Sequence, residues 1–345
     1  MSPLVARILQ RTVVAPLLIV LTVVLWSTLP LWLVAAGLLS PRAPGWLRPV
    51  RLLWVLVVHL TLESLILVEL FGLWLASGFG RWIRTPFFER IHYDIVQAYL
   101  GIFFREARRV LRLQIETIGP TPDARPGEPL LVLCRHAGPA DSFTLMYALM
   151  HWYHREPRVV LKDSLAWDPA LGVLLTRLPS RFVSPVPRPG RDLETEVGDL
   201  ARNLDGNDAF VIFPEGGNFT PERRERAIAR LRRLGMHKMA ERADSMMHVL
   251  APRPGGVLAA LDAAPGVDVL LVAHTGLDHV VSVADVWHFL PMDKRLRMRW
   301  WRIPREEIPE GREERIDWLF AWWREIDEWV AQHRPETNER RPPHQ

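Results

Sequence analysis

Two short blocks of the chain carry residue types that can move a proton. Leu130-Leu-Val-Leu-Cys-Arg-His-Ala-Gly-Pro-Ala-Asp141 is an apolar run of strand length ending in Arg135 and His136. A Gly-Pro turn follows, and Asp141 stands just before residues 142–150, whose periodicity is helical. His136 is therefore expected at a strand tip and Asp141 at a helix N-cap. The turn between them can fold the carboxylate back toward the ring, fixing one tautomer and stabilising the imidazolium that forms when the other nitrogen accepts a proton. So placed, a His-x4-Asp pair is a general base with its orienter, although the spacing also fits a loop histidine beside a helix cap. The second block, Ala209-Phe-Val-Ile-Phe-Pro-Glu-Gly-Gly-Asn218, is another apolar strand that breaks at Pro214-Glu215-Gly216 ahead of an arginine-rich helix.

Positioning these blocks requires a sheet. Residues 113–118 alternate as a half-buried strand should, and apolar β-rich runs at 158–161, 181–183, 209–213, 267–273 and 296–303 alternate with helical stretches. That alternation predicts an α/β domain with a mostly parallel or mixed sheet flanked by helices. Ligands of such domains collect at the carboxyl ends of strands, where His136 and Glu215 are both expected.

Ahead of this domain, residues 13–39 and 52–76 are almost unbroken Leu, Val, Ile and Trp. At about 1.5 Å per helical residue, each is long enough to cross a hydrocarbon layer of about 30 Å. The basic linker Ser40-Pro-Arg-Ala-Pro-Gly-Trp-Leu-Arg-Pro-Val-Arg51 reads as a turn, giving an N-terminal two-helix membrane hairpin. The first run is too long for a signal-peptide core and lacks a small-residue cleavage site. Arginines before, between and after the two runs, with His59, Glu63 and Glu69 inside the second, leave a spanning hairpin and a shallow one-leaflet hairpin both open. Residues 78–90 mix Phe and Trp with Arg, as at a headgroup boundary. Residues 92–113 read as an amphipathic, arginine-bearing helix that packs on the domain, meets lipid, or does both. The expected divisions are a hairpin over 1–80, a catalytic domain over 81–333 and a disordered polar tail over 334–345, the last for its Pro-rich composition.

Composition narrows the function classes. A net charge of +4, with basic residues scattered among acidic ones and no nucleic-acid module, argues against nucleic-acid binding. Cys134 is the only cysteine, which fits a reducing compartment. Strand alternation puts it on the face of His136, so direction alone does not exclude a nucleophile, but its place inside the apolar run reads as a small buried hydrophobe. His274 and His279 resemble a metal pair without further ligands, so no metal is expected. The arginine- and glutamate-dense residues 222–242 read as a solvated helical face, and the Trp-rich residues 316–330 as a helix packed on the domain. The chain has no Gly-x-Ser-x-Gly elbow, so a lipid hydrolase working through His136 and Glu215 would lack its nucleophile.

His-x4-Asp after one strand and Phe-Pro-Glu-Gly after another, some 75 residues on, resembles the glycerolipid acyltransferase family, of which lysophosphatidic acid acyltransferases are the best-known members. Val159-Val-Leu-Lys162 and Leu250-Ala-Pro-Arg-Pro-Gly-Gly256 are similar to two further blocks of its eukaryotic-type branch, and the resemblance extends over residues 105–330. It implies a membrane-bound O-acyltransferase, its catalytic domain on the cytoplasmic side, that moves a fatty acyl group from acyl-CoA or acyl carrier protein to a lysophospholipid, 1-acylglycerol 3-phosphate first among the candidates, without a bound cofactor. His136 would be the base and Asp141 its orienter, with the substrate oxygen in the part a serine plays in a hydrolase triad. Backbone N–H groups around Gly216 and Gly217, or near Gly138, would meet the oxyanion. Glu215 would touch substrate or hold the His136 loop, while Lys162 and Arg253 would meet phosphate or form structural ion pairs. The family's Glu-Gly-Thr-Arg is Glu215-Gly216-Gly217-Asn218 here, and Pro185 stands where another arginine is usual. Arg188, Arg191, Arg223 and Arg224 are the replacements within reach, and Arg135 stands where relatives carry Asn, a charge near the reaction centre. These departures keep another lyso-lipid or polyol acceptor, and an inactive membrane scaffold, in play.

Overall fold

Seven strands pair into one sheet. Its order is β1 (Gln114–Ile118), β7 (Arg295–Ile303), β6 (Asp268–Thr275), β2 (Leu130–Cys134), β5 (Asp208–Ile212), β3 (Glu156–Lys162) and β4 (Ser180–Val183). Every neighbouring pair is parallel except β6–β7. The structure is a computed structural model and describes residues 8–43, 46–119, 127–183, 192–278, 285 and 294–335, without the side chains of 139–141 and 164. The polar tail beyond residue 335 lies outside the described residues.

The central strands are continuous apolar runs because both faces of the sheet are covered. Along β2 the side chains alternate between two cores. Leu131 and Leu133 pack with Phe210, Ile212, Leu271 and the helix residues Leu258, Leu261, Leu319 and Trp323. Leu130, Val132 and Cys134 pack on the other face with Val211, Leu270 and Leu145. Cys134 is fully buried there, a small core hydrophobe.

The N-terminal apolar runs are helices α1 (Ala15–Leu39) and α2 (Arg48–Ala76), followed by the amphipathic α3 (Pro86–Leu111). α1 and α2 form the expected hairpin: Ser64 Oγ donates to Thr22 Oγ1 at 2.8 Å, and Trp26 Nε1 to Thr61 Oγ1 at 2.8 Å. The hairpin does not stand off the domain. Leu62, Ile66, Leu67 and Leu70 of α2 share a core with Tyr93, Tyr99, Leu100 and Phe104 of α3, and Leu52 and Val55 lean on the sheet-side core. Arg51 donates to the Val110 carbonyl at one end of α2, and Arg177 Nη1 to the Leu70 carbonyl at 2.9 Å near the other. Gln10, just before α1, donates to the carbonyls of Ala166 and Asp168 at 2.8 and 2.6 Å. α1 is left with most of its apolar surface bare, Leu17, Val20, Leu31 and Val34 among the exposed residues.

Beyond β2 come α4 (Pro139–Tyr147), α5 (Leu171–Leu175) and α6 (Leu193–Ala201). α7 (Pro221–Arg233) and α8 (His237–Ser245) replace the single stretch read at 222–242, because Gly235 takes φ +71° and ends the first helix. α9 (Pro254–Ala263) and the Trp-rich α10 (Arg312–His333) close the domain, with Trp323 fully buried.

Candidate active site

The register of β2 against β5 brings the two chemical blocks together. Leu133 pairs with Ile212, so His136 and Glu215, each three residues further on, leave the sheet side by side at one edge. Pro214 and Glu215 occupy a tight turn closed by Gly216 N–H donating to the Phe213 carbonyl at 3.0 Å, with Gly216 at φ +68°. That turn aims the Glu215 carboxylate inward. One oxygen accepts the His136 N–H at 3.0 Å and the other the Leu250 N–H at 2.9 Å, with the residue 1% exposed. Of the two roles expected for Glu215, the structure displays the holding of the His136 loop, and a side chain this enclosed has no oxygen turned to solvent. Phe219 N–H to the His136 carbonyl and Arg253 N–H to the Pro214 carbonyl, both at 2.9 Å, complete the stitching.

The half-buried His136 ring lies against Phe213, centroids 4.7 Å apart. Its Nδ1 is buried and meets no hydrogen-bond partner among the described residues. The backbone of Asp141 is in the first turns of α4, but its side chain is outside the described atoms. Burial, then electrostatic interaction with His274, Lys162, Arg223 and Arg135, pushes the imidazole down to about 3. The ring is therefore neutral at physiological pH, with an unprotonated nitrogen.

Lys162 is exposed at the end of β3, one strand beyond β5. The Arg253 guanidinium covers Gly216 so closely that a Cβ there would lie 2.9 Å from its Cζ. Arg223 runs beside Gly217 and donates to the Asn218 carbonyl at 3.2 Å, placing a guanidinium at the turn where the family's threonine and arginine are missing. Arg224 is spent elsewhere, on the carbonyls of Met246 and Asp244. Arg188, Arg191, Pro185 and His279 lie outside the described residues.

Arg135 is not the free charge near the reaction centre that its position suggested. Alternation along β2 sends it to the face opposite His136, where it is 1% exposed and pairs with Asp278. It also donates to the carbonyls of His274 at 2.6 Å and His248 at 2.9 Å. Burial alone would raise the Asp278 pKa, but Arg135, the Thr275 hydroxyl and the Gly276 N–H hold its carboxyl well below the usual range. His274 is equally engaged, its Nε2 lying 2.9 Å from the Arg135 carbonyl. Sequence reasoning also missed Asp327, whose carboxylate accepts from the N–H groups of Met247, His248 and Val249 and so supports the segment that reaches Leu250. An acid among Trp323, Ile326 and Val330 on the buried stripe of α10 was the available signal.

Residues 114–253, from β1 to the loop that covers Gly216, match the acyltransferase family model. The chain carries an acyltransferase domain. No protein of curated function matches it. Among solved structures, the 1-acyl-sn-glycerophosphate (LPA) acyltransferase PlsC from Thermotoga maritima is similar at 15% identity, covering 76% of this chain and 97% of that one, with a TM-score of 0.41. Within the acyltransferase domain fall His136, Asp141, Lys162, Arg188, Glu215, Gly216, Gly217 and, as its last matched residue, Arg253.

Proposed function

We propose that this acyltransferase domain transfers a fatty acyl group from acyl-CoA or acyl carrier protein to the free hydroxyl of a lysophospholipid, 1-acylglycerol 3-phosphate being the acceptor that best fits a site flanked by cations. His136 is the general base. Asp141 is the orienter, its carboxylate supplying the acceptor that Nδ1 otherwise lacks. The other ring nitrogen takes the hydroxyl proton as the alcohol oxygen attacks the thioester carbonyl. The tetrahedral adduct then collapses, the C–S bond breaks, and the thiolate leaves with the proton from the imidazolium. No covalent acyl-enzyme is required, which fits a Cys134 sealed in the core. Backbone N–H groups of the Gly216-Gly217 turn are the candidate oxyanion donors. Lys162, Arg223 and Arg253 form the cationic rim for the acceptor phosphate, with Arg188 a further candidate. A bound phosphate would offset two of the charges that depress His136 and make the imidazole a better base.

The reading rests chiefly on one observation: a half-buried imidazole at the carboxyl edge of the central strand, its backbone tied down by Glu215 and its buried Nδ1 without a partner among the described residues. Asn218 in place of arginine supports a second acceptor class, a lyso-lipid with a different headgroup. We further assign residues 1–80 to membrane attachment and 81–333 to catalysis, with the catalytic domain at the cytoplasmic face where the acyl donors are. Because α2 lies along α3 instead of projecting from it, the one-leaflet arrangement of the hairpin is the better supported of the two. The test is transfer from labelled acyl-CoA to a panel of lyso-lipids by the parent and His136→Ala. The variant is expected to lose roughly 10²–10⁴-fold in rate; full activity in it would overturn the mechanism.

A further inference from the structure

A second cationic site lies on α3, away from His136. Three faces of this helix are distinct. Tyr99, Phe103, Glu106 and Val110 look toward α2, with Trp54 Nε1 donating to Glu106 Oε2 at 3.1 Å. Leu100, Phe104, Ala107 and Leu111 are buried on the domain. The third face carries Ala98, Ile102, Arg105 and Arg109 at spacings of four, three and four, so they line one ridge, with Arg108 beside them. This ridge borders a groove of about 750 Å³ whose far wall is Tyr147 and His151. The groove shares no residue with the His136 site.

Its construction is specific. His151 is fixed by an Nε2 contact of 2.8 Å with the Gln97 carbonyl, and it approaches α3 only because residue 101 is glycine: a Cβ there would lie 2.8 Å from the ring. Arg109 is partly engaged by Glu106 at 3.1 Å. Arg105 and Arg108 are exposed and meet no carboxylate among the described residues. Two uncompensated guanidiniums on one wall, with Ala98, Gly101, Ile102 and Leu113 as apolar lining, leave a concavity that is complementary to an anion joined to hydrocarbon. The same helix carries α2 of the apolar hairpin on its neighbouring face.

We propose that this groove binds the phosphate of an anionic membrane phospholipid, separately from the acyl acceptor, and so gives the enzyme a preference for acidic membrane surfaces. The assignment rests on the membrane-attachment reading of the hairpin but not on the role of His136. The full chain, released from neutral detergent in native mass spectrometry, is to be given equimolar phosphatidylglycerol and phosphatidylcholine. Each guanidinium near an anionic surface contributes about fivefold, so the two together predict a preference for phosphatidylglycerol of roughly 25-fold. Arg105→Gln/Arg108→Gln is expected to reduce it to near parity while keeping acyl-transfer activity in neutral mixed micelles. Arg105→Lys/Arg108→Lys should keep most of it, and His136→Ala should lose turnover yet keep the lipid preference. Equal binding of both lipids by the parent, or an undiminished preference in the glutamine variant, would overturn the proposal. Displacement of the bound lipid by millimolar inorganic phosphate would show a free-anion site and overturn it as well, and capture of an acidic carrier protein that depends on these arginines, without lipid selectivity, would reassign the groove.

Discussion

Replacing Glu215 with alanine separates a residue that holds the loop from one that binds substrate. The carboxylate accepts two backbone N–H groups, those of His136 and Leu250, at a position that is 1% exposed. Its removal strands both donors where water has little access. An unpaired buried donor costs about 1–3 kcal/mol, and part of that is returned because a carboxylate no longer has to be desolvated, so a net loss of about 2–4 kcal/mol is expected. For a domain of this size that corresponds to a fall in Tm of roughly 5–15 °C. Glu215→Gln keeps one acceptor oxygen and turns an amide N–H toward the other donor, so about half the loss is expected. Thermal unfolding in detergent, followed by intrinsic fluorescence beside acyl-transfer kinetics, reads both effects. In the loop-holding role kcat falls with Tm while the acceptor KM stays within about twofold. An alanine variant with the parent Tm and a raised acceptor KM would refute the argument and return Glu215 to the substrate.

The Arg135–Asp278 pair should behave as a buried ion pair: Asp278→Ala, which removes a counter-charge from the buried Arg135, is expected to lower Tm, and Arg135→Met/Asp278→Leu to recover most of the loss in the same unfolding assay. The pH profile tests the depressed imidazole. With His136 at about 3 in the free enzyme, kcat/KM should pass through pH 6.5 without an acid limb, and the limb of kcat should lie at higher pH than that of kcat/KM because the acceptor phosphate offsets Lys162 and Arg223. A kcat/KM limb centred near pH 6.5 would contradict the cationic, buried setting of the ring. The same shift has a stability consequence of definite sign: the unfolded chain takes up the proton first, so this residue's contribution is lost as pH falls from about 6.5 toward 3.

Much of the scaffold was legible because its signals are local. Each of the seven strands overlaps a stretch marked by an apolar run or by strand alternation, and the two N-terminal helices are long, almost unbroken apolar runs. The meeting of His136 with the Pro214-Glu215-Gly216 turn was legible only as a resemblance; the cause is the β2–β5 register, which pairs residues 79 apart and leaves no trace in either block alone. The direction of Arg135 was available from strand alternation, but its partner was not, since Asp278 lies 143 residues away at the end of another strand. The break at Gly235 and the inward Asp327 were both visible as residues at odds with their surroundings, a glycine in a charged helix and an acid on an apolar stripe. The attitude of the hairpin was not legible, because the composition of α2 is the same whether its neighbours are lipid or the aromatic side of α3.

On the proposed membrane attachment, that attitude would govern how the enzyme meets its acceptor. A hairpin joined by a loose linker would let the catalytic domain bob above the bilayer and sample headgroups at many heights. Here α2 is a buttress, fastened at Arg51 and Leu70 and wedged along its length, so on the proposed membrane attachment His136 would keep a set elevation over the bilayer. Traffic to His136 would then be two-dimensional: an amphiphile gliding within the sheet of lipid would arrive in register, and a water-soluble analogue of the same headgroup would have no such guide.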